Sequence, residues 1–362
     1  MTWERDNIAR LTGYASGEQP DDASTIKLNT NENAWPPSPA VDRALSQLQA
    51  HALRRYPPTT ADRFRDIAAA RHNVGRNNII ATRGGDELLR LVLTTFVDPH
   101  ETIAMTDPTY SLYPVLASIQ DCITLRVPLN DDWSLPHDFA NKVNEAQARL
   151  TLVVNPHAPS GHLSTADRMR ALAGSINGLL LIDEAYVAYV DFVDGDLEYD
   201  CTALVREFDN VIILRSLSKG YSLAGLRFGY GVASEDLIGP MIGKTRDSYN
   251  LDTISQVIAE AAFDDLDWAS ENWRKVRSER ENLTVALTAL GFEVSPSQTN
   301  FLLARVPLSF GKAETVYQRL KQHGVLVRYF NEPRLSDKLR ITVGTPQENA
   351  RLLAVLDAIF SP

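Results

Sequence analysis

Residues 211–220 read VIILRSLSKG. Four aliphatic residues, three of them β-branched, end in a turn rich in serine and glycine, which is the pattern of a strand buried on both faces. Strands of that kind belong to parallel sheets, and in open sheets of this type ligands bind beyond the carboxyl ends of the strands. Ser216, Ser218 and Lys219 therefore fall where a ligand would be met. Outward from this stretch the pattern repeats: NIIAT (78–82), TIAMTDP (102–108), CITLRVP (122–128), LTLVVNP (150–156) and LLLIDE (179–184) are short apolar runs separated by amphipathic helical segments. LRFGYGVAS (226–234) adds a further strand. The expected fold class is α/β, a mostly parallel sheet sandwiched by helices over residues 41–265.

Beyond 265 the texture changes. A charged helical stretch (269–291) leads into FEVSPSQTNFLLARV, a helix near 313–323, then VLVRYF, LRITVG and a last helix from Pro346. Strands beside helices predict a smaller α+β domain. Residues 266–362 would form it, joined by residues 1–40, whose prolines at 36, 37 and 39 read as an extended connector ahead of a helix from Val41.

The chain has 362 residues and a net charge of −10, a balance that argues against a nucleic-acid partner, which needs a positive footprint. Two cysteines, Cys122 and Cys201, cannot build a disulfide framework, and no Cys/His cluster suggests a metal site. The N-terminus lacks a signal-peptide pattern and no apolar run approaches the ~20 residues of a membrane helix. A cytoplasmic protein with neither membrane nor nucleic-acid partner is expected.

Polar residues at strand ends carry the chemistry. TRGGDELL (82–89) is a glycine turn opening a helix, where free N–H groups of Gly85 and Asp86 suit a phosphate. Asn155 and Asp183 end their strands, Tyr186 follows three residues on, and Tyr110 follows another strand. Ser216, Ser218 and Arg227 together suit a dianion. A lysine in a partly apolar, cation-rich pocket keeps some free amine to form a Schiff base. Taken singly, each also reads blandly: an Asn-Pro turn, a helix cap, core packing, a solvated charge. Together they specify a planar cationic ring with a phosphate arm and an aldehyde, which is pyridoxal phosphate. Asp183 would pair with the ring N–H, Asn155 and Tyr186 with a ring hydroxyl, Tyr110 would stack, and Lys219 would take the aldehyde. No strand precedes a G-x-G-x-x-G, which disfavours a nicotinamide enzyme.

The ordered set NPHAPSG (155–161), LLIDEAY (180–186) and SLSKGYSLAGLRFGY (216–230) resembles the fold-type I aminotransferases. LNTNENAWPPSP, RRYPP, TRGGDELL, DPTYSLY, GVLVRYF and LRITVGTPQENARLL resemble the histidinol-phosphate aminotransferase family, over nearly the whole chain. The resemblance implies that Lys219 holds the cofactor and then acts as base, and that Tyr56 reaches the phosphate of a neighbouring subunit in a homodimer with shared sites. It implies that Arg340 holds the α-carboxylate of glutamate, that Arg328 meets a substrate phosphate, and that Tyr14 and Asn29 lie in segments covering the substrate. The small-molecule partners would be an amino donor and a 2-oxo acid. Three departures stand out: His157 and Ala158 where asparagines are usual, Ala34-Trp35 where a proline follows NEN, and Ser248 in place of a proline. An aromatic amino-acid aminotransferase and a threonine-phosphate decarboxylase are the alternatives on the same scaffold, and a ligand-sensing module without turnover is the alternative of another class.

Overall fold

Each apolar run becomes a strand: the central ones, such as Leu150–Val154, are buried on both faces, whereas Ile123–Pro128 at the sheet edge is largely exposed. The computed structural model describes residues 3–20, 22, 24–191, 199 and 201–360. In chain order the first strands are β1 (Ile26–Lys27), β2 (Ile79–Thr82), β3 (Thr102–Asp107), β4 (Ile123–Pro128), β5 (Leu150–Val154), β6 (Leu179–Asp183), β7 (Val211–Ser216) and β8 (Gly229–Ala233). Strands β2 to β8 make a seven-stranded sheet, among the described residues, in the order β2-β8-β7-β6-β5-β3-β4. Only β8 runs against its neighbours; β3 to β7 pair in parallel. Because β8 is antiparallel to both β7 and β2, the carboxyl ends of β2, β3, β5, β6 and β7 share one edge. The register places Val154 opposite Asp183 and Asp183 opposite Leu214, which brings the polar strand ends level.

The second sheet is assembled from β9 (Glu293–Val294), β10 (Phe301–Arg305), β12 (Arg328–Tyr329) and β13 (Lys338–Thr342), in the order β12-β13-β10-β9. The short strand β11 (Val325–Leu326) pairs in parallel with β1, so the N-terminal segment is tied to this second unit. Leu28 packs with Leu302, Ile341 and Leu352 in a core separate from the two clusters that flank the larger sheet. The charged stretch forms one helix, Leu266–Ala289, that connects the two units: Trp273 and Val276 pack with Tyr189, while Leu283 and Leu287 enter the smaller core. Its buried Arg280 donates to the carbonyls of Tyr189 and Thr299 at 2.8 and 3.1 Å and to Asp191 at 2.7 Å.

One boundary differs from expectation. The helix anticipated from Val41 begins at Pro39, not in an extended connector. Ser38 caps it by accepting from the Ala40 N–H at 2.9 Å, and proline suits the first helical turn, where its missing N–H has no partner to lose.

Candidate active site

A cavity of ≈ 230 Å³ opens at the shared strand edge and is lined by residues from both units. It brings together Tyr14, Asn29, Gly85, Asp86, Tyr110, Asp183, Tyr186, Ser216, Ser218, Lys219, Arg227, Arg328 and Arg340. These lie far apart in the chain, and strand-end geometry accounts for most of them.

Asp183 ends β6 with its carboxylate buried, 5% exposed. Oδ2 accepts the Tyr113 hydroxyl at 3.0 Å and Oδ1 accepts the Ala185 N–H at 3.0 Å. Burial pushes its pKa up to about 6, against those two hydrogen bonds, so the group calls for a cationic or N–H partner. Tyr113 is itself fully buried. It lies three residues after Tyr110, one turn on, and the two rings meet edge to face at 5.6 Å.

Lys219 follows β7 in a turn, with Nζ donating to the Thr30 carbonyl at 2.9 Å. Burial, then repulsion from Arg340 and Arg227, lowers its pKa to about 8, with Glu32 opposing. Between that value and the 10.5 of an ordinary lysine, the unfolded chain binds the proton that the folded state has shed. Stability contributed at this position therefore rises with pH through that window. Relative to Lys219→Met, the cofactor-free protein is expected to gain melting temperature from pH 8 to 10; thermal scans showing a constant difference would contradict the shift.

Beside it lies an anion cradle. Arg227 donates from Nη1 to Ser218 Oγ at 3.2 Å and reaches Asp86 from Nη2 at 3.4 Å, while the Ser218 N–H donates to Ser216 Oγ at 3.1 Å. The helix Gly84–Phe96 starts here with no side-chain cap on its free N–H groups. Gly84 has φ +75, and a Cβ there would come within 2.8 Å of Arg227 Nη2. Glycine is needed for the backbone conformation, while the arginine tip could shift to make room.

On the opposite wall, Arg340 of β13 stands directly across from Arg328 of β12. Like charges paired across strands repel. Arg340 donates to the Asn29 carbonyl at 3.0 Å, with its guanidinium carbon 5.2 Å from the Phe301 ring centre. Arg328 makes long contacts, 3.4 and 3.5 Å, to the carbonyls of Ala15 and Ser16, and its guanidinium carbon lies 5.2 Å from the Phe330 ring centre. Nε of Arg340, Oδ1 of Asn29 and Oγ1 of Thr109 are buried without a hydrogen-bond partner among the described residues. Such groups cost about 1–3 kcal/mol each when left unpaired.

Two expected residues are not in the cavity. Asn155 is 1% exposed, and its amide closes its own loop: Oδ1 accepts the Ser164 N–H at 2.9 Å, and Nδ2 donates to the Ser164 carbonyl and the Tyr199 hydroxyl, each at 3.0 Å. Ala158 and Pro159 line the cavity instead. Asn155, expected at the ring, braces its own loop and is not among the residues lining the cavity. Tyr56 is 79% exposed and stacks on Tyr249 at 4.3 Å, away from its own cavity. Missed by sequence reasoning were Tyr113, for which the i, i+3 spacing from Tyr110 was a signal, and Asn31, for which there was none.

A lysine amine, a buried carboxylate and an anion cradle in one cavity, on this fold, define a transaminase that uses pyridoxal phosphate. The chain belongs to the class I and II aminotransferase family, whose profile matches residues 23–356. Within that family it is similar to histidinol-phosphate aminotransferase 1 of Trichormus variabilis, 40% identical over 353 residues, covering 97% of both chains. It is equally similar to the histidinol-phosphate aminotransferase of Microcystis aeruginosa, 40% identical over 356 residues and 98% of both chains. The solved histidinol-phosphate aminotransferase of Sinorhizobium meliloti, in complex with pyridoxal-5'-phosphate, shares the fold with a TM-score of 0.90 at 23% identity, covering 99% of this chain and 98% of that one.

Proposed function

We propose that the protein moves an amino group from L-histidinol phosphate to 2-oxoglutarate, giving imidazole-acetol phosphate and glutamate, a step of histidine biosynthesis. The observation that carries this reading is the Arg328–Arg340 pair facing the lysine and carboxylate across one cavity. Two guanidiniums held together suit substrates that bring a phosphate or carboxylates.

The cavity's residues fit pyridoxal phosphate: an uncapped helix start, Ser216, Ser218 and Arg227 for the phosphate, and Asp183 for a protonated ring nitrogen. When bound, the cofactor supplies an aldehyde for the amino group and a ring that draws electrons from the substrate's Cα. Lys219 Nζ would hold the aldehyde carbon covalently, then, once displaced by the substrate amine, take the proton from Cα and return it to the other side of the C–N bond. Asp183 would keep the ring nitrogen protonated, Tyr186 would donate to the ring oxygen, and Tyr110 would cover the ring face. Arg340 would hold the α-carboxylate of glutamate and Arg328 the substrate phosphate, with Tyr14 and Asn29 closing over them.

The same reading makes the protein a cytoplasmic homodimer, with Tyr56 reaching a neighbour's site; its exposed stack with Tyr249 supports this. No described helix is long and apolar enough to cross a membrane. It also divides the chain into 41–265 and 1–40 plus 266–362, in line with the separate sheets and cores.

Comparing kcat/KM for histidinol phosphate, phenylalanine and threonine phosphate tests the proposal. Histidinol phosphate should lead phenylalanine by roughly 100-fold, the scale of a charge-assisted anion contact. A preference for phenylalanine, or release of carbon dioxide from threonine phosphate, would replace it with one of those activities.

A further inference from the structure

We propose that Asn31 is a positioning residue that aims the Tyr186 hydroxyl into the cavity, and that it does so only while residues 28–35 are seated between the two units. The inference rests on the cofactor reading above. Asn31 is 1% exposed, with φ 55, in the left-handed region that asparagine tolerates better than most residues. Its polar atoms are all engaged. The backbone N–H donates to Thr342 Oγ1 at 3.0 Å, the carbonyl accepts from Asn300 Nδ2 at 3.0 Å, and Oδ1 accepts the Thr342 hydroxyl at 3.2 Å. Nδ2 donates to the Tyr186 phenol oxygen at 2.9 Å.

That network orients the amide. With Oδ1 accepting the Thr342 hydroxyl at 3.2 Å, the end facing Tyr186 is the NH₂, which donates to the phenol oxygen. An amide NH₂ accepts nothing, so the phenol proton is left to point elsewhere. Among the described residues the Asn31 contact is the one hydrogen bond of the Tyr186 phenol, and its ring is flanked by Phe301, edge to face at 5.1 Å. The cavity is the direction left for a polar acceptor. Tyr186 lines the cavity, so its ring-oxygen contact depends on how Asn31 aims the phenol.

The arrangement also joins parts of the molecule. Thr342 ends β13 and Asn300 precedes β10, both in the smaller sheet, whereas Tyr186 follows β6 of the larger one. The same segment receives the Lys219 amine at the Thr30 carbonyl and Arg340 at the Asn29 carbonyl. If the segment lifts, the phenol loses its orienting donor.

The test is a pH titration of the visible absorbance of the enzyme loaded with pyridoxal phosphate, without substrate. A donor to the ring oxygen stabilises the deprotonated chromophore more than the protonated one, whose neighbouring N–H already serves that oxygen. Removing the donor should raise the titration midpoint. Tyr186→Phe should raise it by about one pH unit, the scale of one hydrogen bond. Asn31→Gly, which suits the left-handed backbone, should raise it by roughly half that or more. The double variant should move no further than Tyr186→Phe. Asn31→Asp keeps the volume but accepts the phenol proton, and should shift the midpoint at least as far as Asn31→Gly. An unmoved midpoint in Asn31→Gly and Asn31→Asp, or single shifts that simply add in the double variant, would overturn the inference and leave Asn31 a structural brace. A wild-type protein that shows no visible band with pyridoxal phosphate would remove the cofactor reading itself.

Discussion

Lys219→Ala is expected to lower the transamination rate by roughly 10⁴-fold, the upper range for loss of a general base, while pyridoxal phosphate still binds non-covalently. Both halves follow from the geometry. The anion cradle of Ser216, Ser218, Arg227 and the helix start at Gly84 does not depend on the amine, so it survives the substitution. The amine does two things that nothing nearby can replace. Its pKa, lowered by burial to about 8, leaves far more of it neutral near that pH than an ordinary lysine would be. Its position, with Nζ donating to the Thr30 carbonyl, puts it among the cavity-lining groups and across from the arginine pair. Tyr186 and Tyr110 cannot stand in as the base, since burial raises both phenols above their ordinary value and keeps them protonated. The measurement is single-turnover conversion of the bound cofactor by glutamate; a rate within tenfold of wild type would rule Lys219 out as the base.

How far the sequence could carry this reading depended on whether the deciding contacts were local. The strands of the larger sheet were legible because burial on both faces leaves an unbroken apolar run, as in Ile79–Thr82 and Val211–Ser216. Asp183, Ser216, Ser218 and Lys219 were legible because strand ends in a parallel sheet share an edge. Asn155 shows where that argument stops: it sits one residue past the end of its strand, and its amide meets Ser164 and Tyr199. Strand-end position fixes the backbone and not the direction of an amide. Asn31 was not legible at all, because its partners are residues 186, 300 and 342 and no spacing in its own neighbourhood encodes them. The helix start at Pro39 was misplaced because prolines suit both an extended connector and a first helical turn, and only the Ser38 cap decides.

Removing one arginine of the facing pair should separate the two substrates. Arg328→Ala is expected to reduce kcat/KM for the phosphorylated amine by roughly 100-fold or more, and for phenylalanine by far less, since phenylalanine brings no phosphate to lose. Arg340→Ala should instead cripple the glutamate half-reaction, by roughly 10³-fold, because its guanidinium is held in place by the Asn29 carbonyl and Phe301 with Nε still unsatisfied. Equal losses on all substrates from Arg328→Ala would end its assignment to the phosphate. The pair also makes a prediction that does not depend on turnover. Two guanidiniums opposed across β12 and β13 repel in the ligand-free protein, so deleting the more loosely held one should leave its melting temperature unchanged or higher. Adding inorganic phosphate should then stabilise wild type more than Arg328→Ala, because an anion that binds only the folded state raises its stability by mass action. A variant that melts lower and responds to phosphate as wild type does would show that Arg328 serves the fold, and the preference for a phosphorylated substrate would have to be sought elsewhere in the cavity.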